Sequence, residues 1–127
     1  MAGKIVADQL EHSTAGSVDT QFVVNGSAKA FELHDGTSTT LQDSLNVSSL
    51  TDGGTGIQTV TFSNNMGSAI YVKSGSTGDE STSVGYIATT SYNAANTSSA
   101  FVYYTVNSAA SAVERNNHQS IVHGDLA

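Results

Sequence analysis

Apolar residues in this chain recur at every second position in short runs, and turns bearing glycine or asparagine separate the runs. A half-buried strand sends successive side chains to opposite faces, whereas an amphipathic helix needs apolar residues three and four apart. Val60 and Phe62 share one parity while Thr59 and Thr61 share the other, and the glycine-rich run 51–56 lies just upstream. Strand, glycine turn and alternating strand together predict a hairpin. In 100–106 both parities are apolar: Phe101 and Tyr103 on one face, Val102, Tyr104 and Val106 on the other. Such a strand is buried on both sides or lies at a subunit contact.

The same reading extends along the chain. Phe22-Val23-Val24 followed by Asn25-Gly26 predicts a strand ending in a tight turn. Residues 28–34 alternate, and hydrophobicity places Phe31 and Leu33 inward. Asp35-Gly36 marks the next turn, and Leu45, Val47 and Ser49 alternate beyond it. Further strands are expected at 69–73, at 84–89 and around Ile121-Val122. Loops are expected at 74–81 and 93–99, with one helical turn near 109–113. Seven to nine short strands define an all-β chain, a small antiparallel β-sandwich or barrel. Residues 1–20 are the least strand-like and read as an N-terminal docking arm, leaving 21–127 as the β-rich domain.

Composition sets the limit on the core. Serine and threonine supply 34 of 127 residues, and 14 of the 48 hydrophobic residues are alanine, which buries little area. At roughly 25 cal/mol per Å² of apolar surface, so thin a core barely exceeds chain entropy, and oligomerisation is the simplest remedy. Eleven acids and four scattered bases give a net charge of -7. That argues against a nucleic-acid partner, which would need a basic stripe. No long apolar run predicts membrane insertion, and no charged leader precedes a hydrophobic segment. With no cysteine, thiolate catalysis, disulfides and zinc thiolate sites are all excluded.

Four ordered pieces carry a resemblance: Asn25-Gly26-Ser27-Ala28-Lys29-Ala30, then 43–52 (DSLNVSSLTD), then Gly54-Thr55-Gly56, then Thr59-Val60-Thr61-Phe62. The leader 7–17 and the closing Gly124-Asp125-Leu126-Ala127 add to it. Together they resemble a module of phage tail-fibre and virion fibre proteins, as found in marine phages and cyanophages. The chain departs from that module in lacking a tryptophan after Asn-Gly-Ser-Ala-Lys and in having Met66-Gly67 where Met-Pro is common. The resemblance implies a virion location and a homotrimer. It further implies other virion proteins of the tail or capsid as partners of the arm, with host-surface attachment, through a glycan, as a further role. Two alternatives stand beside this: a capsid decoration (cement) protein and a glycan-binding, lectin-like module.

No catalytic constellation is recognisable, so no enzyme activity, cofactor or metal is expected. His12, His34, His118 and His123 show no His-X-His spacing, and His34 is the best placed of them for an axial ion. Asp79-Glu80 lacks the offsets of a calcium loop, and Gly53, Gly54 and Gly56 lack the Lys-Ser/Thr of a phosphate loop. Loops on a rigid scaffold carry recognition, and aromatic rings stack on sugars. Asp79, Tyr92, Asn93 and Asn96 are therefore the candidate ligand-binding residues.

Overall fold

A computed structural model describes residues 3, 5–78 and 95–127. Its elements are β1 (Gln9–His12), β2 (Gly16–Asp19), α1 (Thr20–Gly26), β3 (Ala30–Asp35), β4 (Thr40–Leu45), β5 (Val47–Gly54), β6 (Ile57–Phe62), β7 (Val72–Gly78), β8 (Ala100–Tyr104) and β9 (Asn117–His123). All pairing is antiparallel. β1 and β2 form a hairpin, four strands form a sheet in the order β4-β3-β9-β7, and three form another in the order β5-β6-β8. The chain is all-β with one short helix.

The two larger sheets pack face to face as a sandwich. Ala30 and Val122 of the first and Val60, Phe62, Phe101 and Tyr103 of the second share one buried cluster with Met66. Aromatic rings fill it edge-on: Phe101 and Tyr103 lie 5.2 Å apart at 77°, and Phe62 and Tyr71 lie 5.7 Å apart at 74°. The chain crosses between the sheets at Asn46, which takes a left-handed φ of 56°. Its side chain holds the crossing, accepting from the Asn64 amide at 2.7 Å and donating to the Asn64 carbonyl at 3.0 Å. The expected alternation through Leu45, Val47 and Ser49 is therefore broken at Asn46.

Several expectations hold and several are corrected. Val60 and Phe62 face inward, as do Phe101 and Tyr103. The glycine turn is tighter than expected, because β5 runs on through Gly54 and only Thr55-Gly56 joins it to β6. Residues 20–26 form a helix rather than a strand and tight turn, and the Ser27 amide donates to the Val23 carbonyl at 3.1 Å. Among the described residues no strand pairs with 21–26, and the segment closes its hydrogen bonds locally. β7 starts at Val72 and absorbs most of the loop expected at 74–81, pairing with β9 from Val72↔His123 to Gly78↔Asn117. Residues 109–113 form a turn and an isolated bridge, not a helical turn. The strand expected at 84–89 lies outside the described residues.

The largest correction is the parity of β3. Ala30, Glu32 and His34 are buried, while Phe31, Leu33 and Asp35 lie on the outer face. Register explains it. β3 pairs Ala30↔Val122, Glu32↔Ser120 and His34↔His118, so the inward positions of both strands form one matched row. A one-residue slip would put Phe31 inside but expel Val122 or unpair the polar row.

Candidate functional site

The inward faces divide the sandwich into an apolar end and a polar end. Ala30, Val122, Val60, Phe62 and Phe101 fill the first. Glu32, His34, His118, Gln58 and Tyr103, all at most 5% exposed, fill the second. Strand alternation delivers them: Glu32 and His34 from β3, His118 from β9, Gln58 from β6 and Tyr103 from β8.

Glu32 organises the cluster. One carboxylate oxygen accepts from the Tyr103 hydroxyl and the other from Nδ1 of His34. The Tyr103 bond crosses from one sheet to the other. The His34 ring stacks on His118, with centroids 4.8 Å apart and planes at 16°. Nε2 of His118 lies 3.3 Å from the Thr77 hydroxyl of β7, and Nε2 of His34 has no partner among the described residues. Gln58 donates to the Gly36 carbonyl at 2.7 Å, closing the polar end against the β3–β4 turn. That turn is braced by Asp35, whose carboxylate accepts from the Thr37 amide at 2.9 Å, the Thr37 hydroxyl at 2.7 Å and the Ser38 hydroxyl at 2.9 Å. Those bonds hold the Asp35 carboxyl below its usual range.

Electrostatics follow from burial. His118 is pushed down to about 4, first by burial and next by His34; Glu32 and Asp35 oppose the shift. Tyr103 is pushed above the phenol range by burial, then by the Glu32 charge. A second polar group sits at the other end. Nζ of Lys73 donates to Oδ1 of Asn96 at 2.8 Å and to the Val102 carbonyl at 3.3 Å, and lies 5.1 Å from the centre of the Phe101 ring. Burial lowers this ammonium from its ordinary range.

Chemically, Glu32 fixes His34 as the tautomer with a proton on Nδ1, the arrangement that orients a base. Here the pair is sealed between two sheets, which Glu32 joins through the Tyr103 hydroxyl. Gly36 belongs to that seal. A Cβ on Gly36 would lie 2.6 Å from the Arg115 carbonyl and 2.7 Å from the His118 ring. Gly36→Ala is therefore expected to cost about 1–3 kcal/mol by overpacking, read as a lower urea midpoint with an unchanged slope.

Of the ligand-binding candidates, Asn96 is engaged by Lys73, and Asp79, Tyr92 and Asn93 lie outside the described residues. His12 closes the β1–β2 turn by accepting from the Ala15 amide at 3.1 Å. His34 and His118, far apart in sequence, are brought into contact. Glu32, Gln58 and Tyr103 were not anticipated as a cluster. The matching triplets Ala30-Glu32-His34 and His118-Ser120-Val122 were the available signal, since each runs from small or apolar to histidine at alternate positions. Among the described residues no group of three or more metal-ligating side chains could hold an ion, and no helix is long and apolar enough to cross a membrane. Comparison with family models, with curated proteins and with solved structures finds no match.

Proposed function

We propose that this chain is a non-enzymatic structural protein of a phage virion, of the fibre class, that assembles through its N-terminal arm. The observation that carries the reading is the state of the arm, residues 1–20 with β1 and β2, and of α1, which follows it at the start of the domain. Leu10, Val18, Phe22, Val23 and Val24, all within β1, β2 or α1, are 42% exposed or more, and Ile5 and Val6 ahead of β1 are 80% exposed or more. Apolar residues collected on a hairpin and short helix with no core of their own mark an assembly surface. Within the sandwich beside it, the buried cluster of Glu32, His34, Gln58, Tyr103 and His118 lies between the two sheets. The fibre class comes from the resemblance in 25–62 and the leader 7–17.

Antibodies raised against the folded chain test this on purified particles of the phage that encodes it. Labelling confined to tail or vertex fibres is the expected micrograph. Uniform labelling of the head would replace the fibre reading with a decoration protein, and label found in infected cells but never on particles would remove the virion reading.

A further inference from the structure

Lysine seldom turns inward in a sandwich without a charge partner. Lys73 of β7 lies opposite the buried Val122 of β9, and opposed residues of an antiparallel pair share one face. Its side chain therefore runs toward the other sheet, half-buried, with Nζ 5.1 Å from the centre of the buried Phe101 ring. Among the described residues no carboxylate pairs with this ammonium. Its hydrogen bonds go to neutral acceptors, Oδ1 of Asn96 at 2.8 Å and the Val102 carbonyl at 3.3 Å. A charge drawn away from water without an opposite charge is costly. Turning the amine into an amide removes that cost, because an amide is neutral.

The side chain that could acylate it is already in contact and is held there. Beside Asn96, the Thr97 carbonyl lies 3.1 Å from the Tyr71 hydroxyl, and Oγ1 of Thr97 accepts from the Ala100 amide at 2.9 Å. The Ser98 carbonyl accepts from the Met66 amide at 2.8 Å. Two reacting groups fixed in contact are spared the entropy of finding each other. Burial lowers the Lys73 ammonium from its ordinary range, so the neutral, nucleophilic amine is reached at lower pH than on an exposed lysine.

We infer that Lys73 and Asn96 condense into an intramolecular isopeptide bond. The neutral amine attacks Cγ of Asn96 and the Nζ–Cγ bond forms. The Cγ–Nδ2 bond breaks, and Nδ2 leaves as ammonia with a proton taken from the attacking nitrogen. Neither an oxidant nor a further reactant is consumed. The product ties β7 of the four-stranded sheet to the segment that leads into β8 of the other sheet. A chain with no cysteine and a thin core thereby gains a covalent tie between its layers. The bond goes beyond the assembly reading above and does not depend on it.

Mass and trypsin test it together on the complete chain, held folded at mildly alkaline pH until its mass stops changing, then denatured. The basic residues are Lys4, Lys29, Lys73 and Arg115. Trypsin cuts after a free Lys73 to give 30–73 and 74–115, but not after an acylated one. The expected wild-type chain is lighter than its sequence by one ammonia and yields 30–115 as one piece carrying that deficit. Lys73→Arg and Asn96→Ala are each expected to restore the full mass and the cut after residue 73. A wild-type chain of full mass, cut after Lys73, would overturn the inference. So would a chain short of ammonia yet still cut there, since that loss comes from an asparagine cyclising on its own backbone. A deficit that persists in Asn96→Ala would place the bond elsewhere and overturn the pairing as well.

Discussion

Glu32→Ala is expected to lose about 3–5 kcal/mol of stability, the usual cost of breaking a buried charged network from one side. The carboxylate is the shared acceptor for the Tyr103 hydroxyl and for Nδ1 of His34, so its removal leaves two buried donors unmet and opens a hole between the sheets. Such a loss is a large part of the 5–15 kcal/mol that holds a domain folded. Urea denaturation at neutral pH gives the measurement. Glu32→Gln keeps an acceptor of the same shape and should lose less. The sharper comparison is a chain carrying Glu32→Leu, His34→Leu and Tyr103→Phe together. Removing every partner at once leaves nothing unsatisfied, and the triple variant should recover most of the single variant's deficit. A Glu32→Ala chain as stable as wild type would mean that the Tyr103–Glu32 bond does not tie the sheets.

Acidification should weaken the sandwich in a window that His118 defines. In the folded chain its imidazole is held down to about 4, against 6.5 for the free side chain. Between those values the unfolded chain binds a proton that the folded chain refuses, so stability falls as pH drops from 6.5 to 4 and levels off, for this group, below 4. The full difference between 6.5 and about 4 amounts to about 3–4 kcal/mol at 1.36 kcal/mol per pH unit, an upper bound because solvent near the ring screens part of it. Burial and then His34, stacked on it, lower the His118 imidazole, while Glu32 and Asp35 act to raise it. Asp35 adds a separate loss at lower pH, because its lowered carboxyl gives up its bonds to Thr37 and Ser38 only when protonated. Urea midpoints at pH 7.5 and 4.5 should separate clearly for wild type and converge for His118→Gln, which keeps a polar side chain but cannot take up the proton. Equal slopes for the two chains would assign the acid sensitivity elsewhere.

Strand texture was legible in the sequence because alternation is a local property. Val60 and Phe62, and Phe101 and Tyr103, fall on the inner faces that their spacing implies. Failure came where two strands far apart in the chain decide the outcome together. Phe31 and Leu33 are more hydrophobic than Glu32 and His34, so a single strand read alone turns the wrong way. Only the pairing of β3 with β9 sets Glu32 beside Ser120 and His34 beside His118, and only β8 brings the Tyr103 hydroxyl to the carboxylate. Residues 20–26 failed for the converse reason. Phe22-Val23-Val24 is strand-like in composition, but no strand among the described residues pairs with it, and unpaired backbone turns to its own hydrogen bonds. Asn96 was singled out as a sugar contact for its loop position, whereas its distance to Lys73 follows from how β7 lies against β8.

One topological fact governs how such a chain can be made. β9, at the carboxyl end, is the inner strand that joins β3 to β7. A nascent polypeptide must therefore extend past residue 117 before β3, already paired with β4, finds its second neighbour, and closing so wide a loop is slow. Synthesis halted before residue 117 would leave β7 unjoined to β3 and the four-stranded sheet without its inner strand, so prematurely terminated products should be cleared by proteases rather than poison the assembly.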